Sequence, residues 1–507
     1  MASTAFKTYA QENGGRVALL ILLFLLAIYE FGTAGFSAFA VVCAIPVLIL
    51  LVIATFHYPM LSFWALIVIN YIVQWHSGLL PRGIPISMYN EMFEIILLAL
   101  AIINVKETKF QRCGNVMLFA LIIWCSFCTL EVLNNTCGLG INIGAWYTGA
   151  RLMAFQLLYI FLVFSIYIDK PKIIIEYFYV WGALAAFAAF WIWKQKNIGF
   201  TVAENAWLQG AGRSTHIIQG GTLTRYFSIY SDAANFGVGI ASTAVAFIIF
   251  AITSKIKTHR IFYAIVGLAC TWAMFPTGTR TAIICYIAGF IVYIFLSKSF
   301  KIAIPFTIVF SIAVFLLAFT QIGNGNQQIR RMRSAFDKND ASTEARSINQ
   351  ATMKKYMREA PWGIGIGMMS NNVPANNKYK KMASIPADSE YIFIWLRTGV
   401  IGITLFIITT LIMLAGACWI VFFTLKSPSL RGIGAGFCCA FVSQQLGGYG
   451  NQVLMQYPNC LVFYGGLAIV YILPHIEQEW ITYENRILEK QTEKKRLKLE
   501  KKKASRV

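Results

Sequence analysis

The chain has 507 residues, 58% of them hydrophobic and 13% charged, with a formal net charge of +21. Soluble domains carry about 25% charged residues, so this composition excludes a soluble globular protein and assigns most of the chain to lipid. Eleven cysteines fall mainly inside apolar runs. The Cys125–Cys128 pair has no second pair or histidine cluster beside it and reads as small buried hydrophobes, not as a metal or redox site.

Apolar runs recur at the length of about 20 residues that a helix needs to cross a hydrocarbon core of roughly 30 Å, which predicts about 14 spans. In chain order they cover 17–34, 36–56, 58–76, 88–105, 116–133, 151–168, 173–193, 233–253, 261–276, 281–297, 302–320, 391–424, 432–447 and 458–474. The expected fold class is all-α: a polytopic transmembrane helical bundle with a large, partly helical loop outside the bilayer. The first run is followed by further spans and no small-residue cleavage site, so it reads as a helix and not as a signal peptide. Residues 1–320 are expected to hold the first eleven spans with a polar loop at 194–232, and 321–390 the large loop. Residues 391–475 then carry the last three spans and 476–507 a basic tail.

An even count puts both termini on one side. The connectors 106–112, 169–172, 255–260, 298–301 and 426–431 share that side and are all net basic, as is the tail. The positive-inside rule makes that side cytoplasmic, with the tail against anionic lipid. Nothing in the chain resembles a nucleic-acid module. The opposite face keeps the two longest polar segments, 194–232 and 321–390, and is rich in arginine, which a topology signal does not explain.

Arg225 leads into a span through Asp232-Ala-Ala-Asn235, where Asp232 and Asn235 are suited to cap the helix. Arg280 follows Pro-Thr-Gly-Thr between two spans joined almost without a loop. Snorkelling to headgroups is one reading of such an arginine, and a fixed cation facing a site is the other. Two guanidinium groups at neighbouring span ends match the bidentate chemistry of a diphosphate. Arg330, Arg331 and Arg333 read as a solvated or headgroup-binding patch.

Within the large loop, Ser342 is a plausible cap for a helix ending before Pro361. Arg346 falls in its first turn, where a cation opposes the helix dipole and so suggests a use. Gly363-Ile-Gly-Ile-Gly367 lacks the strand and lysine of a nucleotide loop and reads as a compact packing turn. Asp388-Ser-Glu390-Tyr391 re-enters the membrane, offering a carboxylate either for a salt bridge or as a general base. Glu91 and Glu94 share one face of a span; pairing with arginine is the default reading and coupling-ion ligands the transporter reading.

Taken in order, these motifs resemble the O-antigen ligase and polymerase superfamily of bacterial membrane glycosyltransferases. The resemblance covers roughly 210–424 and rests on four features. They are Arg225 with Asp232 and Asn235, Thr-Gly-Thr-Arg280, Arg346 with Pro361-Trp-Gly, and Asp388-Ser-Glu-Tyr391 before Gly399-Val-Ile-Gly402. It implies a protein of the bacterial inner membrane that uses a polyprenyl-diphosphate-linked oligosaccharide, without cofactor or metal, and admits a chain-length regulator as partner. It also implies that Arg225 and Arg280 bind the diphosphate, that Arg346 belongs to the large loop's site, and that Asp388 is the base, with Glu390 in reserve and Tyr391 supporting. The ligase pattern has His where this chain has Asp388, and Glu where it has Arg397, which favours a polymerase-like member. The expected activity is polysaccharide polymerisation, with a glycan ligase and a lipid-linked-oligosaccharide or small-anion transporter as alternatives.

Overall fold

The computed structural model describes residues 55–76, 86–218, 223–297, 341–385 and 389–504, with scattered positions at 14–29 and 304–333. It is helical almost throughout, with one two-residue antiparallel pairing of Ile217–Ile218 with Leu223–Thr224. The helices are α1 (Pro59–Ile72), α2 (Ile86–Ile103), α3 (Val116–Leu130), α4 (Ile143–Ala150), α5 (Gln156–Tyr167), α6 (Pro171–Asn197) and α7 (Val202–Gln209). They continue as α8 (Ala233–Thr253), α9 (Lys257–Ala273), α10 (Arg280–Leu296), α11 (Ala341–Met357), α12 (Glu390–Trp419), α13 (Pro428–Gly450) and α14 (Asn459–Ala504).

Among the described residues, seven helical stretches are long and apolar enough to cross a membrane: Val116–Leu133, Ile143–Tyr167, Pro171–Asn197, Ala233–Thr253, Lys257–Thr277, Glu390–Thr424 and Asn459–Glu493. Helices α1 and α10 are apolar but shorter. The expected spans 17–34, 36–56 and 302–320 lie almost wholly outside the described residues. The chain is an all-α polytopic membrane protein.

Two units divide at Ala65 and Leu66. In the first, Ser62 Oγ donates to Thr55 Oγ1 at 3.0 Å. The second holds everything described below. Its centre is α8, which packs against α9, α10 and α13, while α13 packs against α14. Helix α8 is almost entirely buried because its small residues, among them Ala241 and Ala244, let neighbours approach on every side.

Two groups of helix ends emerge from the side-chain contacts. In one, Arg112 donates to the Asp169 carbonyl at 3.1 Å, Lys255 pairs with Glu484 at 2.8 Å, and Glu477 accepts the Lys426 and Ser427 amides. These contacts join the α2–α3 connector to the α5–α6 connector, and the α8–α9 and α12–α13 connectors to the middle of α14. The other group gathers the starts of α8, α10, α12 and α14 and the end of α13, and it carries the candidate site.

The large loop has its own small core. Met353, Met357, Ile364, Tyr379 and Met382 bury together with Leu396 of α12. Helix α11 spans Ala341–Met357 and includes Ser342 within its first turn. Gly399 breaks α12 with φ 68° and ψ −168°. The Pro361–Met368 segment fits into that break: Ile364 donates to the Leu396 carbonyl and Gly365 to the Arg397 carbonyl, both at 3.0 Å. A Cβ on Gly399 would overlap the Pro361 carbonyl. The glycine-rich segment is thus a packing turn that ties the loop to a membrane span.

Candidate functional site

The site is built around the turn Phe275–Thr279, which reverses the chain between α9 and α10. Gly278 takes the left-handed conformation, φ 57°, that such a reversal needs. Arg225 reaches this turn from the preceding loop. Its Nε donates to the Thr277 carbonyl at 3.2 Å, Nη2 to Thr279 Oγ1 at 3.0 Å and Nη1 to the Thr215 carbonyl at 3.0 Å. Guanidinium carries five N–H donors; these bonds use three, leaving one on each Nη among the described residues.

Arg331 approaches the same turn, donating from Nε to the Gly278 carbonyl at 2.9 Å. Arg280 is the first residue of α10 and lies close enough to act electrostatically on Arg225. Burial lowers the Arg225 pKa, Asp232 raises it again, and Arg280 lowers it. Among the described residues, three guanidinium groups and one carboxylate therefore meet at the head of a helix whose dipole favours anions. Arg331 was read from sequence as part of a headgroup patch; its contact with Gly278 puts it in the cluster instead.

Asp232 caps α8, its Oδ1 accepting the Ala234 amide at 2.7 Å and the Asn235 amide at 2.9 Å. Asn235 Nδ2 donates to the Tyr457 carbonyl at 2.9 Å, and Asn459 Nδ2 donates back to Asn235 Oδ1 at 2.6 Å. His216, which the sequence reading passed over, seals the corner. Its Nε2 accepts the Ala233 amide at 3.0 Å, so Nδ1 carries the proton and faces the Gly212 carbonyl at 3.1 Å. Burial, reinforced by Arg225, pushes its pKa down to about 4.

The loop below is anchored by Glu204. Its carboxylate accepts from the indoles of Trp191 at 2.6 Å and Trp75 at 3.2 Å, and from Gln195 at 3.0 Å. Gln195 also brackets Ser228, which holds a positive φ of 56°. Positive φ at a residue other than glycine persists only where the surroundings enforce it. These bonds fix the bend that delivers Arg225.

The connector 451–458 between α13 and α14 gathers the remaining motifs. Asn451 Nδ2 donates to Thr281 Oγ1 at 3.1 Å, beside Arg280. Glu390 is buried, and Oε2 accepts the Leu454 amide at 3.0 Å, with the Val453 and Met455 amides also directed at the carboxylate. Ser231 Oγ donates to Gln456 Oε1 at 2.6 Å. Ser389 Oγ donates to the Gly448 carbonyl at 3.0 Å and Tyr391 Oη to the Gln445 carbonyl at 3.1 Å. Asn451 and Leu454 are three residues apart, at most about 11 Å of chain, so Arg280 and Glu390 serve one neighbourhood. This connector was not singled out from the sequence; its Asn, Gln, Tyr and Pro between two spans were the available signal.

Asp388 lies outside the described residues, and so does the side chain of Arg346, whose backbone belongs to α11. Gln350 and Lys354 of α11 and Tyr391 and Trp395 of α12 line a groove of about 550 Å³. Arg397 is buried inside the large loop's core, donating to the Met368 carbonyl with Phe393 below its guanidinium. Among the described residues no three His, Cys, Asp or Glu side chains form a metal-binding group.

Residues 263–407 match the O-antigen ligase family. The matched segment contains the 275–279 turn, Arg280, Arg331, α11, the glycine-rich turn and α12 as far as Ile407. Arg225, His216 and the 451–458 connector lie outside it yet complete the same corner. At family level the match supports a membrane glycosyltransferase of O-antigen ligase or polymerase type, a family that acts on lipid-linked oligosaccharides. No curated protein matches the chain.

Proposed function

We propose that the protein is a polysaccharide polymerase of the bacterial inner membrane, with both termini cytoplasmic and the arginine corner periplasmic. It transfers a growing glycan from polyprenyl diphosphate to a sugar hydroxyl of a lipid-linked repeat unit. The observation that carries this reading is the convergence of Arg225, Arg280 and Arg331 on the one turn Phe275–Thr279.

The acceptor oxygen forms a bond to the anomeric carbon while the bond from that carbon to the diphosphate oxygen breaks. The electron pair leaves with the diphosphate, the configuration inverts, and the acceptor proton passes to a base. Arg225 and Arg280 neutralise the developing charge, held in place before the reaction and so at no cost of reorganisation. Asp388 is the base and Arg346 orients it or the donor. Glu390, committed to three backbone amides, positions the 451–458 connector and does not take the proton. Asp232, Asn235 and Tyr391 support the corner. A chain-length regulator is the partner this activity calls for.

The second reading, a ligase delivering glycan to lipid A–core or another acceptor, is favoured by the ligase description of the matched family. The third, a lipid-linked-oligosaccharide or small-anion carrier, draws on the paired acids of α2. Purified protein incubated with lipid-linked repeat units and resolved on a gel separates them. A ladder supports the polymerase, a single addition to a different acceptor the ligase, and headgroup translocation without product the carrier. Asp388→Asn tests the base: full activity would remove Asp388 from the mechanism.

A further inference from the structure

We propose that Asn90, Glu91, Glu94, Gln156 and Tyr457 form a binding site for a monovalent metal cation. Glu91 and Glu94 are one turn apart on α2 and both are buried. Arg151, the first residue of a π-helical turn over Arg151–Phe155, pairs with Glu91 Oε2 at 3.1 Å. Such turns are frequent at functional sites. Glu94 has no ion pair among the described residues; Gln156 Nε2 donates to both of its oxygens, at 2.7 and 2.9 Å. Among the described residues two carboxylates and one guanidinium thus share an apolar interior, where a second ionised carboxylate calls for a counter-charge.

Unspent oxygens surround that charge. Among the described residues Glu91 Oε1, Gln156 Oε1, the polar atoms of Asn90 and the Tyr457 hydroxyl are all sealed from solvent, and the Glu91 and Gln156 oxygens make no hydrogen bond. Asn90 precedes Glu94 by one turn and so lies on its face of α2. The Tyr457 hydroxyl faces Asn90 and lies within the electrostatic reach of Glu91 and Glu94. A donor set made of oxygen alone selects a hard cation, and the excess of one carboxylate over guanidinium among the described residues matches a valence of one. Tyr457 belongs to the connector that also binds Thr281, Asn235 and Glu390. The ion would therefore fasten the connector behind the arginine corner. The inference stands on the α2 cluster and does not depend on the glycosyl-transfer reading.

The test is thermal unfolding of the purified full-length protein in sodium chloride, potassium chloride or choline chloride at one ionic strength. Sodium or potassium is expected to raise the melting temperature saturably by about 2–4 °C over choline, and Glu94→Gln to abolish the response. Should Glu94→Gln fail to fold, Tyr457→Phe is expected to raise the midpoint of the ion response about 2- to 10-fold, the loss of one neutral ligand. Superimposable curves in all three salts would overturn the site and leave Glu94 carrying a proton. A full response in Glu94→Gln, or an unmoved midpoint in Tyr457→Phe, would do the same.

Discussion

Arg225 donates from Nη2 to the Thr279 hydroxyl at 3.0 Å, and that hydroxyl donates in turn to the Ala233 carbonyl at 2.7 Å. One threonine thereby couples the arginine of the 223–232 loop to the turn before α10 and to the start of α8. Thr279→Val keeps the volume and removes both bonds. Hydrogen bonds to charged groups contribute about 1.5–3 kcal/mol, so transfer should fall roughly 10- to 150-fold, with the protein still folded by circular dichroism. Wild-type rates in Thr279→Val would uncouple Arg225 from the chemistry.

Arg225→Lys addresses the same corner. Lysine offers a point charge and cannot direct three donors at three diverging acceptors. The substitution should behave nearly as poorly as Arg225→Ala in an initial-rate assay. Equal activity of Arg225→Lys and wild type would show that only charge matters there.

Glu390 separates two roles that look alike in sequence. A positioning carboxylate held by the Val453, Leu454 and Met455 amides should, as Glu390→Gln, destabilise the fold by about 1–3 kcal/mol, seen as a lowered melting temperature. A proton acceptor would lose turnover at an unchanged melting temperature. The second pattern would return Glu390 to the chemistry.

His216 gives the corner a pH dependence. Its folded pKa, down to about 4, lies below histidine's ordinary value of about 6.5. The unfolded chain therefore binds the extra proton first. The contribution to stability is complete above about pH 6.5 and is lost as pH falls towards 4, amounting to roughly 3 kcal/mol in all. Unfolding of wild type and His216→Gln at pH 7 and pH 5 checks this: wild type should lose more stability on acidification than the variant.

Gly399→Ala tests the joint between the large loop and α12. Its positive φ and the adjacent Pro361 carbonyl leave no room for Cβ, so the cost should exceed about 1 kcal/mol. Protease sensitivity within 341–385 should rise. An undisturbed loop would mean that the break in α12 adapts.

Much of the frame was legible in the sequence because lipid imposes a simple rule: long apolar runs between polar connectors. The described spans follow it, with shifts at their ends such as the start of α4 at Ile143, where Arg151 inside the apolar stretch made the span seem to begin later. Arg225, Arg280, Asp232 and Asn235 stood out because charge and amide groups beside apolar runs are costly without a reason. His216 was invisible, and Thr279 showed only as part of the motif before Arg280, because their partners, Ala233 and Arg225, are brought to them by tertiary contacts. Glu390 was visible but ambiguous: the amides that claim it come from a connector more than sixty residues later, and no local pattern announces that pairing.

Equilibrium binding of a polyprenyl diphosphate to purified wild type, Arg225→Ala and Arg280→Ala tests the central claim most directly. Each arginine should contribute a charge-assisted contact to the diphosphate, so each variant should bind at least about 10-fold more weakly, while polyprenyl monophosphate should bind wild type less tightly than the diphosphate. Unchanged diphosphate affinity in both folded variants would contradict the account.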